Sequence, residues 1–212
     1  MNIQIYCISF CIFIGTCSAS KKVPDFNKYL EYKNRFDSTL TMHFPEYPLA
    51  ENYIATLHTE SKKNNVWFVL VYPDLSSDIY DSISRVLLED KYIASYLDRD
   101  TCILYINPFE TKTTLEMSTF PLLDSNIIEK PCYKGKYPIP NLFNKNEDIY
   151  FADIGLENMF EVYVIEANRD KKYHLFNMDE NVQMPVDWKN GYSFGFALNQ
   201  TNNSIIYWLA MW

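Results

Sequence analysis

The run Ile205-Ile206-Tyr207-Trp208-Leu209-Ala210-Met211-Trp212 has no charge, no glycine and no proline, and offers no polar face to water. Eight apolar residues are too few to span a bilayer, which needs roughly 20. Two readings fit the run: a central strand buried on both faces, or a sticky edge left open for a partner. The first is preferred, and it organises the chain around a sheet. Upstream, Tyr192–Leu198 reads as a second strand, and Asn199-Gln200-Thr201-Asn202-Asn203 between the two is a hairpin signal. Phe160–Ala167 reads as a strand followed by a turn at Asn168–Lys171. Val66–Tyr72 is a β-rich run stopped by Pro73-Asp74; it pairs with a weaker strand at Tyr53–Leu57 through Lys62–Asn65. Thr101–Ile106 reads as another central strand, closed by Asn107-Pro108.

Helices fill the gaps. Phe26, Leu30, Phe36 and Leu40 recur at helical spacing, so the spacing predicts a helix over 26–43, capped by Asp25 and ended by Phe44-Pro45. Ser76 and Ser77 offer caps to a second helix. Its apolar face runs through Ile79, Ile83, Val86, Leu87, Tyr92, Ile93, Tyr96 and Leu97, with a break near Asp90. The strand–helix–strand order from 66 to 106 allows a right-handed βαβ crossover. Residues 107–147 are broken by Pro121, Pro131, Pro138 and Pro140 and read as a long irregular segment with one helical turn. The expected fold is α+β: a single domain with a mainly antiparallel five- to six-stranded sheet and two or three helices packed on one face.

The other end of the chain argues for export. Residues 1–20 hold no Asp, Glu, Lys or Arg. Ile3–Ile14 has the length of a signal-peptide apolar core, and small residues follow from Gly15 to Ser20. The expected organisation is therefore a signal peptide over 1–20 and one domain over 21–212. Cleavage after Ala19 gives a soluble, secreted domain. The alternative is Ile14-Gly15-Thr16-Cys17, a lipobox-like stretch in which Cys17 would be acylated. The acyl chains would then be the one link to a membrane. Localisation is expected in the periplasm or at the outer membrane, or else secreted.

Hydrophobic residues make up 48% of the chain and charged residues 22%, as in a globular and not a disordered protein. The net charge of −8 lies wholly outside the leader and disfavours phosphate backbones, so no nucleic acid partner is expected. It suits simple solubility, and also a basic protein partner. Three of the five cysteines lie in the leader, which leaves Cys102 and Cys132 for the oxidising compartment. Either they bridge, or Cys102 stays a small buried hydrophobe.

Motifs for chemistry are few. Gly191-Tyr192-Ser193-Phe194-Gly195 matches the G-x-S-x-G nucleophile elbow, but no Asp, Glu or His follows Ser193 and the residues after it are strand-like. His43, His58 and His174 are read as surface or packing residues, without metal-ligand spacing. Glu161 and Glu166, with Asp153 and Glu157, would be the carboxylates of a hydrolase if suitably spaced; as strand ends they are solvated edges. No catalytic residue, metal site or cofactor is assigned.

Met184-Pro185-x-x-Trp188-x-x-Gly191-Tyr192-Ser193-x-Gly195-x-Ala197, then Ile205-Ile206-Tyr207-Trp208 and Trp212, resembles the C-terminal signature of uncharacterised exported proteins from Bacteroides and relatives. Val162–Ala167 and Met42-His43-Phe44-Pro45 are similar to that group as well. The resemblance implies export and a common fold, and no activity. The leading functional expectation is a non-enzymatic cell-envelope protein that binds a protein partner through its sheet or its 107–147 segment. The alternatives are an immunity- or inhibitor-type protein meeting a basic toxin or enzyme, and a carboxylate-dependent hydrolase.

Overall fold

The structure, a computed structural model, describes residues 25–58, 66–97, 100–106, 125–143, 160–169, 178 and 180–212. The leader, Cys17, His174, Asp153 and Glu157 lie outside the described residues. Six strands form one antiparallel sheet: β1 (Ile54–His58), β2 (Val66–Tyr72), β3 (Ala94–Leu97), β4 (Glu161–Asn168), β5 (Tyr192–Asn199) and β6 (Ser204–Met211), in the spatial order β1-β2-β6-β5-β4-β3. The apolar run of the C-terminus is β6, buried at every residue and flanked by β2 and β5. This is the central strand, so the open-edge reading falls away. Both expected hairpins form, with Ile54 opposite Val71 and Tyr192 opposite Met211.

Side-chain alternation sorts the sheet into two faces. On one face, Phe68, Leu70, Tyr72, Phe194, Phe196, Tyr207 and Leu209 meet helices α1 (Phe26–Lys33), α2 (Ser38–Thr41) and α3 (Ser77–Glu89), through Tyr29, Leu40, Tyr80 and Leu87. Phe68 is the hub of this layer. Its ring lies 4.5 Å from that of Phe44, 5.9 Å from Tyr29 and 6.1 Å from Phe36. The opposite face carries Val69, Val71, Val162, Val164, Ile206 and Trp208, and is covered by loops that bring in Ile103, Ile139 and Phe143. At its end, Trp188 and Trp212 join Leu104 and Ile106. The chain is thus an α+β fold with its regular helices on one side and irregular cover on the other.

Several expectations change. The helix read over 26–43 is two helices. Asn34 follows α1, and the Asp37 carboxylate then accepts a hydrogen bond from the Thr39 N–H at 2.9 Å, starting α2 with a fresh cap. The Asp25 cap is as expected, accepting from the Asn27 N–H at 3.0 Å. The second helix breaks where expected, at Asp90, whose backbone is extended (φ −68°, ψ 152°), but the residues from Ala94 form an edge strand beside β4 instead of resuming the helix. On α3 the buried side is Tyr80, Ser84 and Leu87, while Ile79 and Val86 are exposed. Residues 101–106 are not a strand of the sheet. Their apolar side chains are buried by lying across its second face, held by a lone parallel bridge between Tyr105 and Ile139. The crossover from β2 through α3 therefore reaches β3 at the far edge, four places away from β2, instead of an adjacent parallel strand.

Candidate functional site

The residues with chemical potential are taken up by the fold. Ser193 lies in β5, fully buried, and donates its hydroxyl proton to the Pro138 carbonyl at 2.7 Å. It has no turn, base or exposure to make it a nucleophile. The glycines on either side have another use. A Cβ at Gly195 would sit 1.9 Å from the Tyr163 carbonyl oxygen and 3.0 Å from the Trp208 ring. One at Gly191 would meet the Asn168 carbonyl oxygen at 2.4 Å, and the backbone there has φ +154°. The G-x-S-x-G pattern is thus a close-packing device of the sheet.

His43 follows α2, and its ring enters the helical layer. It stacks on Phe194 at 4.7 Å and lies against Phe44 at 4.5 Å. Its Nε2–H donates to the Trp208 carbonyl at 3.1 Å, which leaves Nδ1 as the unprotonated nitrogen. That Nδ1 is shielded from water and has no hydrogen-bond partner. Burial drives the imidazole pKa down to about 3, so the ring is neutral. The residue packs at the margin of the aromatic core. His58 ends β1 and stacks on Trp67 at 5.4 Å.

Nearby, polar side chains tie down the segment after His43. The Lys33 ammonium donates to the Phe44 and Pro45 carbonyls at 3.2 and 2.9 Å, and the Tyr29 hydroxyl also donates to Pro45. The Tyr72 hydroxyl accepts from the Leu49 N–H at 2.8 Å. Burial pushes the Tyr72 phenol up to about 12 and Tyr29 and Tyr207 higher still, so all three stay protonated. These contacts fix the segment from Phe44 to Leu49 on the core.

Glu161 and Glu166 lie near opposite ends of β4. At a rise of about 3.3 Å per residue their backbones are some 16 Å apart, beyond the roughly 5–9.5 Å between the carboxyl groups of glycosidases. A bulge after Val164 turns Glu166 towards Tyr192, whose hydroxyl donates to it at 2.5 Å. No group of three His, Cys, Asp or Glu side chains among the described residues is placed to hold a metal ion.

Cys102 and Cys132 are joined as a disulfide, with their Cα atoms 6.1 Å apart. The bridge links the segment ahead of Ile103 to the turn at 131–133, both on the second face. Cys132 is at the surface.

Several large apolar side chains remain exposed. Ile79, Val86 (60% exposed), Leu88, Tyr92 and Ile93 stand on or just after α3. Around them are Asp78, Asp81, Glu89 and Asp90, all exposed. Periodicity placed Ile79, Val86, Tyr92 and Ile93, though not Leu88, on an apolar face; only the contact face of the helix decides which side is buried. No helix among the described residues is long and apolar enough to cross a membrane. The chain matches no protein-family model, no curated protein and no solved structure.

Proposed function

We propose that this is an exported, non-enzymatic binding protein of the cell envelope, whose partner is a basic protein docking on the α3 surface. The observation that carries this reading is the set of large apolar side chains left exposed on and just after α3, with Ile79 and Val86 on one flank of its buried stripe, Leu88 on the other and Tyr92 and Ile93 beyond its end, beside four carboxylates and the cations of Arg85 and Lys91. Exposed large apolar groups mark interaction surfaces, and the excess of carboxylates over cations favours a partner of opposite charge. Over residues 25–58 and 66–97, which include the helical layer, ten Asp and Glu stand against five Lys and Arg. An immunity- or inhibitor-type role, neutralising a basic toxin or enzyme, is the specific form of this reading. Export is supported by the leader and by a surface disulfide, which persists in oxidising compartments. The likeness to exported proteins of Bacteroides belongs to the same proposal.

The test is affinity capture from envelope extract with the parent chain and with a Val86→Asp/Leu88→Asp variant. The expected result is a basic protein retained at low salt by the parent, released at high salt and absent with the variant. Retention of the same proteins by both chains would overturn the assignment of the surface. The mass of the mature amino terminus checks export: a start just after Ala19, or an acylated Cys17, is expected, and an intact Met1 terminus in fractionated cells would refute it.

A further inference from the structure

On the face of the sheet opposite the acidic helical layer lies a lysine-rich turn. Residues 125–143 carry three lysines against the single carboxylate of Glu129. Lys130, Lys134 and Lys136 fall within one compact turn, closed by hydrogen bonds from Tyr133 N–H to the Lys130 carbonyl and from Lys136 N–H to the Tyr133 carbonyl, both 2.9 Å. The disulfide at Cys132 pins this turn to the body of the protein. Gly135 supplies the left-handed backbone (φ +78°) that lets it double back. The lysine ammonium groups are held over rings: Lys130 is 5.6 Å from Tyr133 and Lys136 is 5.0 Å from Tyr96. None of the three lysines forms an ion pair with a carboxylate among the described residues.

A second loop stands beside this turn. The Glu129 carboxylate, next to Lys130, accepts the Val186 N–H at 2.7 Å. Val186 is 69% exposed, the most exposed large apolar residue after Met42. On its far side Arg169 lies over the Trp188 ring at 4.7 Å and reaches Asp187 at 3.5 Å. An exposed apolar residue thus lies on a loop tied by Glu129 to the lysine turn, with Arg169 over the ring of Trp188 two residues on. An exposed apolar residue on a loop tied to lysines, with cations held over aromatic rings, has the composition of a surface that settles into the headgroup region of a bilayer.

We infer that this face is a docking surface for an anionic lipid bilayer, with Lys130, Lys134, Lys136 and Arg169 at the phosphates and Val186 in the interface. The inference is independent of the α3 reading, because it uses the opposite layer. The lysine turn and the acidic helical layer also give the orientation: an anionic surface attracts the lysine face and repels the helical face, so the acidic surface points away from the membrane. A bilayer is favoured over a soluble polyanion because the cations alone would serve the latter, whereas exposed Val186 has no role there.

The experiment is sedimentation with vesicles, using the purified chain carrying Cys17→Ser so that no acyl group contributes. Equal parts of phosphatidylglycerol and phosphatidylcholine are compared with phosphatidylcholine alone. Binding to the anionic vesicles, weakening with added salt, is expected. The Lys130→Gln/Lys134→Gln/Lys136→Gln variant should bind roughly a hundredfold more weakly, at about fivefold per lysine, and Val186→Gln should weaken binding while keeping its salt dependence. Lys28→Gln, on the helical layer, should bind as the parent does. Equal binding to both vesicle types, or an unchanged triple variant with the parent's near-ultraviolet dichroism, would overturn the inference. So would competition by a soluble anionic oligosaccharide together with no effect of Val186→Gln, which would make the face a glycan site.

Discussion

His43 is a histidine that the fold keeps neutral. Its ring pKa is lowered from 6.5 to about 3 because burial penalises the cation. The unfolded chain binds the proton more readily, so the contribution of His43 is full above about pH 6.5 and drains away as the pH falls towards 3. Over that window the loss reaches on the order of 4–5 kcal/mol. Urea unfolding across the range should show His43→Phe, which still stacks on Phe194, with a shallower acid limb than the parent; parallel limbs would place the titration elsewhere. Two other residues set measurable stakes. Phe68→Ala empties the hub of the aromatic layer and should cost about 3–5 kcal/mol. Gly195→Ala drives a methyl group into the Tyr163 carbonyl, and a loss of about 3 kcal/mol or more is expected in the same assay. The Gly195 constraint was half legible in the sequence. A glycine in a strand signals close approach, but the carbonyl it approaches belongs to β4 and is found only through the register. His43 was legible as packing from its place after a helix. Its neutrality depends on Phe194, 151 positions along the chain.

At the level of elements, apolar β-rich runs with turn punctuation located β2, β4, β5 and β6 to within a residue or so, and both hairpins. Those signals are local, since a strand's composition and its turn sit side by side. Failure came where one apolar segment served two purposes. Tyr92–Leu97 continues the helical spacing of α3, yet it pairs with β4 because the extended backbone at Asp90 breaks the helix first. Ile103, Leu104 and Ile106 have strand composition but cover the sheet, since a buried extended loop and a buried strand demand the same side chains. The disulfide at one end of that loop was an open alternative in the sequence, because spacing says nothing of Cα separation. It closes a span of 30 residues. Reduction should therefore destabilise the protein by about 3–4 kcal/mol on loop-entropy grounds. Melting with and without dithiothreitol measures this, with Cys102→Ser/Cys132→Ser as the matched variant.

For the whole molecule, the net charge of −8 conceals an uneven distribution. The acidic helical layer and the lysine turn lie on opposite faces of one sheet, and composition reports only their sum. The two proposed surfaces are separable for the same reason: Val86→Asp/Leu88→Asp should leave vesicle binding intact, and the triple lysine variant should leave partner capture intact. The position of β6 bears on how the chain is made. β2 and β5 pair only with β6 on their inner sides, and every other strand precedes β6 in the sequence. Until β6 emerges, only the β1-β2 hairpin and the β3-β4-β5 group can assemble, as two half-sheets with open inner edges. Joining them requires pairing across about 140 residues, which makes closure slow in the way that all non-local sheets are. A chain whose halves cannot join until β6 is available carries two unpaired inner strand edges while it is made, and these are its most exposed points for pairing with another chain.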